Sequence, residues 1–106
     1  MKPAGKFSMT LPKLELHPEA IAEARGARLW YAERDQAIAQ AFAAELDRAI
    51  AAVVDQPLRW PNYLGGRHRF LMRRFPYGVV YRPSSEIIHV VAVAHARRKP
   101  GYWIGR

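Results

Sequence analysis

The stretch that decides the fold is Arg69-Phe-Leu-Met-Arg-Arg-Phe-Pro-Tyr-Gly-Val-Val-Tyr-Arg82, followed by Glu86-Ile-Ile-His-Val-Val-Ala-Val-Ala-His95 and Ala96-Arg-Arg-Lys-Pro-Gly-Tyr-Trp103. Three short strand-like runs lead into a basic, aromatic tail. In His68–Met72, Phe70 and Met72 fall on one face, and Arg67, Arg69 and Arg73 on the other, with Leu71 among them. Tyr77, Val79 and Tyr81 alternate against Gly78, Val80 and Arg82, the period of a half-buried strand. Ile87 to Ala94 is apolar at every position but His89, as expected of a central strand covered on both faces. Pro83-Ser-Ser-Glu86 is a turn by composition, so the last two strands form a hairpin.

Upstream the pattern changes. Lys13–His17 alternates and reads as a short strand. Pro18 suits the first turn of a helix, where the N–H it lacks would be unpaired anyway. Ala20, Ala24, Ala27 and Tyr31 recur at helical spacing, predicting a first helix over about 18–33. Ile38, Phe42, Leu46, Ile50 and Val53 make the stripe of a second, with Asp35 as its N-cap. A tight turn at Glu33-Arg34-Asp35 makes the two helices a hairpin. Gln56–Gly66 is a loop by its prolines and glycines, and its Trp60 is expected to pack on the core. The predicted class is α+β: one domain over 13–106, order β-α-α-β-β-β, a helical hairpin on a small, mainly antiparallel sheet. Residues 1–12 read as a loose leader, with Met9 an alternative start.

At 106 residues the chain suits one domain burying roughly two-thirds of its unfolded surface. It has no Cys, which removes disulfides and thiolate metal sites. The four His are scattered without zinc-type spacing, and no Gly-rich phosphate loop occurs, so neither metal nor cofactor is expected. No apolar run approaches the ~20 residues of a membrane span, and no signal peptide is evident. The expected location is the cytoplasm.

The net charge of +8 is unevenly placed. Residues 1–55 carry seven Lys/Arg and eight Asp/Glu, whereas residues 56–106 carry ten Lys/Arg and only Glu86. Such asymmetry predicts a basic face for nucleic acid or an acidic protein. The binding candidates are Arg67, Arg69, Arg73, Arg97, Arg98, Lys99 and Tyr102. Arginine can hold phosphate bidentately, and the same stripe can equally be a solvated face that blocks edge pairing. His95, at a strand end beside Arg97, Arg98 and Lys99, has the chemistry of a general acid or base; its plainer role is a strand-end hydrogen bond. Tyr102 can stack on a base, while Trp103 is expected to pack, back onto the helices.

These residues resemble the RelE/ParE superfamily of type II toxin–antitoxin toxins. The resemblance spans about residues 13–106. It rests on the element order, on Trp30-Tyr31 ending the first helix, on Pro57 after the second, on Arg74–Arg82, and on the closing Ala92-Val-Ala-His-Ala-Arg-Arg-Lys-Pro-Gly-Tyr-Trp103. It implies one of two activities. RelE-like members cut mRNA on the ribosome; ParE-like members, the plasmid-stabilisation branch, are thought to poison DNA gyrase. Arg69 and Arg73 match two of the basic positions along the second strand of the ribonucleases, and Tyr102 matches their C-terminal stacking tyrosine. Leu71 stands at a third basic position, and Gly78 follows Tyr77 where they place an arginine. Two absent cations weaken stabilisation of a developing phosphorane, ordinarily a large catalytic contribution. The resemblance therefore favours a ParE-like toxin that acts on gyrase by binding. The alternative is a ribosome-dependent mRNA endoribonuclease, with Arg73, Arg82, His95 and Tyr102 as its catalytic set. A third reading is a relic that only binds its antitoxin. All three imply a small antitoxin partner with an acidic, flexible segment, for which the apolar face of the first helix (Ala20, Ala24, Ala27) is a candidate contact; core packing is that face's more ordinary use.

Overall fold

The structure, a computed structural model, describes residues 12–106; the expected leader lies, but for Pro12, outside the described residues. Strand β1 (Lys13–Leu16) is followed by helices α1 (Pro18–Ala32) and α2 (Gln36–Asp55), then β2 (His68–Leu71), β3 (Tyr77–Pro83) and β4 (Ile87–His95). The sheet order is β1-β4-β3-β2. β1 runs parallel to β4 and the other pairs are antiparallel. The expected order and class are those observed.

Local chemistry explains the element ends. The His17 Nδ1 accepts from the Glu19 N–H at 3.1 Å and caps α1. Asp35 caps α2 as expected, its Oδ1 accepting from the Ala37 N–H at 2.9 Å. The β3–β4 turn closes on Ser84: its hydroxyl donates to the Ile87 carbonyl at 2.8 Å and accepts from the Ile87 N–H at 3.1 Å.

The two faces of the sheet are covered differently. On one lie both helices, over Ala20, Ala27, Phe42, Leu46, Ala49, Val53, Val79, Tyr81, Ile88, Val90 and Val93. Ala20 and Ala27 are core, so the α1 alanines pack inward. The α2 stripe is rotated from its expected position: Ala39 and Ala49 are buried while Ile38 is exposed. Tyr31, Phe42, Phe75 and Tyr77 form an aromatic cluster at centroid distances of 5.1 to 5.4 Å, the range of favourable edge-to-face pairs. Trp60 packs as expected, edge-on to Phe70 at 4.5 Å, and donates to the Ala52 carbonyl. The buried Tyr81 hydroxyl donates to the Pro57 carbonyl at 2.6 Å, and burial pushes its pKa up to about 12.

The other face is covered by the tail. Trp103 is buried there over Val80, Val91 and Ala92, stacked on Tyr63. Trp103 thus packs as expected, but on the sheet face opposite the helices. The Ala92 and Ala94 positions leave the shallow floor that the indole fills.

A register shift between Val80 and Tyr81 pairs Tyr81 with Val90 and Val80 with Ala92, so Val91 is an extra, bulged residue. Paired residues share a face. The bulge therefore sets Val93 and His95 on the helix side, with Val79 and Tyr77.

Candidate target-binding surface

The tail closes a small hollow of about 70 Å³ on the outer face, lined by Tyr63, Arg69, Leu71, Gly78, Val80 and Ala94 with Trp103 and Arg98 above. Arg69 lies flat across it, its guanidinium 4.0 Å above the Tyr63 ring, an arrangement attractive for a cation. Gly78 permits this. A Cβ there would come within 3.3 Å of the Arg69 stem and 3.2 Å of the Leu71 side chain. The floor is otherwise apolar.

Arg97, Arg98 and Lys99 are exposed on the turn after β4. Arg98 stacks on the Tyr102 ring at 3.7 Å and pairs with Glu23 at 3.2 Å. Glu23, an acid suited by sequence to the dipole at the start of α1, in fact organises this corner. β1 pairs only as far as Val90, leaving the rest of that β4 edge without a strand. There the Glu23 carboxylate accepts from the Val93 N–H at 3.0 Å and from Arg106 at 3.1 Å, and Arg106 also donates to the Val91 carbonyl at 3.0 Å. Carboxylate and guanidinium together satisfy an edge that would otherwise be open. The Tyr102 hydroxyl is buried beside Glu23 without a well-formed hydrogen bond; burial first, and then the carboxylate, push its pKa up to about 12.

The remaining sequence candidates are dispersed. Arg67 folds back to the Gly65 carbonyl at 2.9 Å. His95 reaches the rim of the hollow, but its ring packs edge-on against Tyr77 at 5.0 Å, and its Nδ1 accepts from the Arg97 N–H at 3.0 Å. That is the strand-end hydrogen bond of the plainer expectation. Arg82 pairs in register with His89, whereas His95 lies opposite Tyr77 at the other end of β3, five residues or about 17 Å away at the rise of a strand. Arg73 does not continue the face of Arg67 and Arg69. The chain leaves the sheet at Met72, and the Arg73 and Arg74 N–H groups turn toward α2, both donating to Glu45, at 2.7 and 3.0 Å.

Glu45 was overlooked in the sequence. It is a carboxylate on the buried face of α2, paired with the Arg74 guanidinium at 2.9 Å. Burial acts to raise its pKa, but the hydrogen bonds from Arg74 and Arg73 and the Arg74 charge outweigh burial and hold it below the ordinary carboxylate range. Its position three residues after Phe42 and four before Ala49, among alanines, is the signal that could have found it. Among the described residues no cluster of three or more metal-ligating side chains occurs, and no helix is long and apolar enough to cross a membrane.

The model of the ParE toxin of the type II toxin–antitoxin system parDE matches residues 14–100. The chain belongs to the ParE toxin family. An antitoxin partner follows from that membership. Nine chains of solved structures match this ParE fold. One, from the chromosomal ParDE TA system of P. aeruginosa, superposes with a TM-score of 0.72 at 12% identity, over 81% of this chain and 97% of that one. No curated protein sequence matches significantly. In this ParE member the basic, aromatic tail is structural at Trp103 and exposed at Arg97 and Lys99.

Proposed function

We propose that this ParE-family toxin inhibits DNA gyrase by binding, with no bond-breaking chemistry of its own, and that a small antitoxin with an acidic, flexible segment neutralises it. The observation that carries the reading is the dispersal of the catalytic candidates. Arg69 lies on the outer face, the His95 ring on the helix side, Arg73 against α2 and Arg82 at the far end of β3. A phosphoryl-transfer site needs its cations and its acid and base converging on one reacting centre. The outer hollow offers Arg69 and Arg98 above Leu71, Gly78, Val80 and Ala94, which suits binding better than cleavage. Arg97, Arg98, Lys99 and the half-buried Tyr102 make a cationic, aromatic rim for gyrase or its DNA complex.

The test is a gyrase supercoiling assay with purified, antitoxin-free protein, scoring linear DNA as trapped cleavage complex. Inhibition is expected, and the double variant Arg97→Glu/Lys99→Glu, which touches neither Trp103 nor Glu23, should lose it. A protein without effect at micromolar concentration that cuts mRNA in the ribosomal A site would overturn the proposal.

A further inference from the structure

The two edges of the sheet are finished differently. At the β2 edge the connecting loop lies alongside: the Arg69 N–H donates to the Pro61 carbonyl at 3.1 Å, and Asn62 bridges to His68. Among the described residues the β1 edge has no such cover. The Lys13 N–H donates to the Glu86 carbonyl at 2.8 Å and the His17 N–H to the Val90 carbonyl at 2.9 Å, so residues 13, 15 and 17 turn their backbone groups toward β4. By alternation, the N–H and C=O of Leu14 and Leu16 point away from the sheet. The side chains of β1 are exposed throughout. Leu14 and Leu16, in register with the buried Ile88 and Val90, share the helix side and are 39% and 38% exposed. Lys13 and Glu15 share the outer side. Glu15 touches His89 through Oε1 at 3.3 Å, and its side chain is 56% exposed. Sheet edges are commonly blunted with lysine. Here the Lys13 charge is answered by Glu15 on the same face.

We infer that this edge pairs with itself: β1 joins antiparallel to β1 of a second copy of the toxin, and two four-stranded sheets become one. Charge selects both the occupant and the register. Only residues with outward backbone groups can stand opposite one another. Leu14 opposite the partner's Leu16 sets Glu15 against the partner's Glu15, a repulsive cross-strand pair. Leu16 opposite the partner's Leu16 brings Leu14 against the partner's Pro18, which has left the strand for α1. Leu14 opposite the partner's Leu14 sets Lys13 against the partner's Glu15, twice over by symmetry. These are non-hydrogen-bonded positions, where side chains stand closest. In that register the two Leu14 residues exchange a pair of N–H···O bonds, and each Leu16 N–H meets the partner's Pro12 carbonyl. Pro12 has no N–H to return, so the ladder ends there. The edge is thus complementary to itself in charge, apolar side and backbone. The copies meet through the half of the sequence without excess positive charge, since residues 1–55 carry seven Lys/Arg against eight Asp/Glu. The twofold axis of such a pair stands perpendicular to the sheet. Both outer faces therefore look the same way, and the dimer presents two sets of Arg97 and Lys99 on one side, a bivalent surface. The four-residue edge is short, and an interface below the standard size is a weak one.

The test is sedimentation velocity of the full-length, antitoxin-free toxin across a concentration series, with each variant's melting temperature as the folding control. The wild type should pass from monomer to dimer between about 10 and 100 µM, the range of a small interface. Lys13→Glu sets two carboxylates opposite each other and Glu15→Lys two ammonium groups, so each variant alone should dimerise about tenfold more weakly. An equimolar mixture of the two should recover the dimer, because every cross-strand pair is then of opposite charge. Leu14→Pro removes an outward N–H without touching the bonds to β4 and should abolish the dimer. Arg28→Glu, an exposed charge reversal on α1, should dimerise like the wild type. A wild type that stays monomeric throughout the series would overturn the inference, as would a dimer that survives Leu14→Pro. A mixture of the two charge variants that stays as weak as either alone would overturn the register. Loss of antitoxin binding in Leu14→Pro, with the wild type monomeric, would give the edge to a different occupant.

Discussion

The two faces of the sheet divide the work of the molecule unequally. The helix side carries an aromatic cluster, two helices and most of the buried aliphatic side chains. The outer side carries four buried residues, Val80, Val91, Ala92 and Trp103, beneath a short tail. Yet the exposed tail cations and the Arg69 hollow belong to the thin side. A face that needs little packing has positions left over for charge. Gly78 and Ala94 serve the outer face by being small, whereas their β3 and β4 neighbours Val79 and Val93 serve the other by filling space.

The sharpest way to break this contrast is truncation on each side. Phe42→Ala should destabilise the whole domain by about 4 kcal/mol, the cost of a large cavity in a core. Trp103→Ala should cost about 3 kcal/mol, and native-state hydrogen exchange should show the extra opening confined to β4 and the tail. If Trp103→Ala matched Phe42→Ala and opened the helices as well, the two faces would be one cooperative core.

Glu45→Gln sharpens the contrast on the helix side. At neutral pH it should cost about 2 kcal/mol in urea unfolding, the scale for hydrogen bonds to a buried charge. The sign with pH follows from its lowered pKa. The unfolded chain binds the proton first as pH falls, so the contribution is full above the unfolded carboxylate pKa. It is lost as pH falls through the lower folded value, so the gap between variant and wild type should close in acid.

The tyrosines test both faces at once, since Tyr81 lies on one and Tyr102 on the other. Both are held at about 12. Between their unfolded value near 10 and the folded value, the unfolded state loses its protons first, so stability should fall as pH rises through that window. Ultraviolet titration should show Tyr81 and Tyr102 ionising only above the ordinary tyrosine range. The smallest effect is expected for Arg69→Ala, about 0.5–1 kcal/mol, the scale of the cation–π contact with Tyr63 that it removes.

The element order, the Asp35 cap, the Ser84 turn and the covered central strand were legible because each rests on local pattern: period, cap or turn chemistry. The family likeness was legible in the closing motif. The grouping of Arg73 with Arg67 and Arg69 failed because alternation was carried past Leu71, where the strand ends and Glu45 takes over the backbone. The side of the His95 ring was not legible either. It depends on a bulge at Val91 that only the pairing with β3 defines. Glu45 was passed over because an acid among alanines on a helix reads as solvated, and Glu23 reads only as a dipole partner at the start of α1, because their true partners lie 28 to 83 residues away.

The Glu23 corner also has a place in time. Its bonds to Val93, Arg98 and Arg106 join residues 70, 75 and 83 positions apart. Contacts that close loops of that length lose their closure entropy before they return any stability, and they lag behind helical turns and hairpins. During refolding, the helical hairpin and the β3–β4 hairpin should therefore form before the tail settles. A newly folding chain passes through a stage in which Arg98, Tyr102 and the far edge of β4 are still open to other chains, and Glu23 is the residue that ends it.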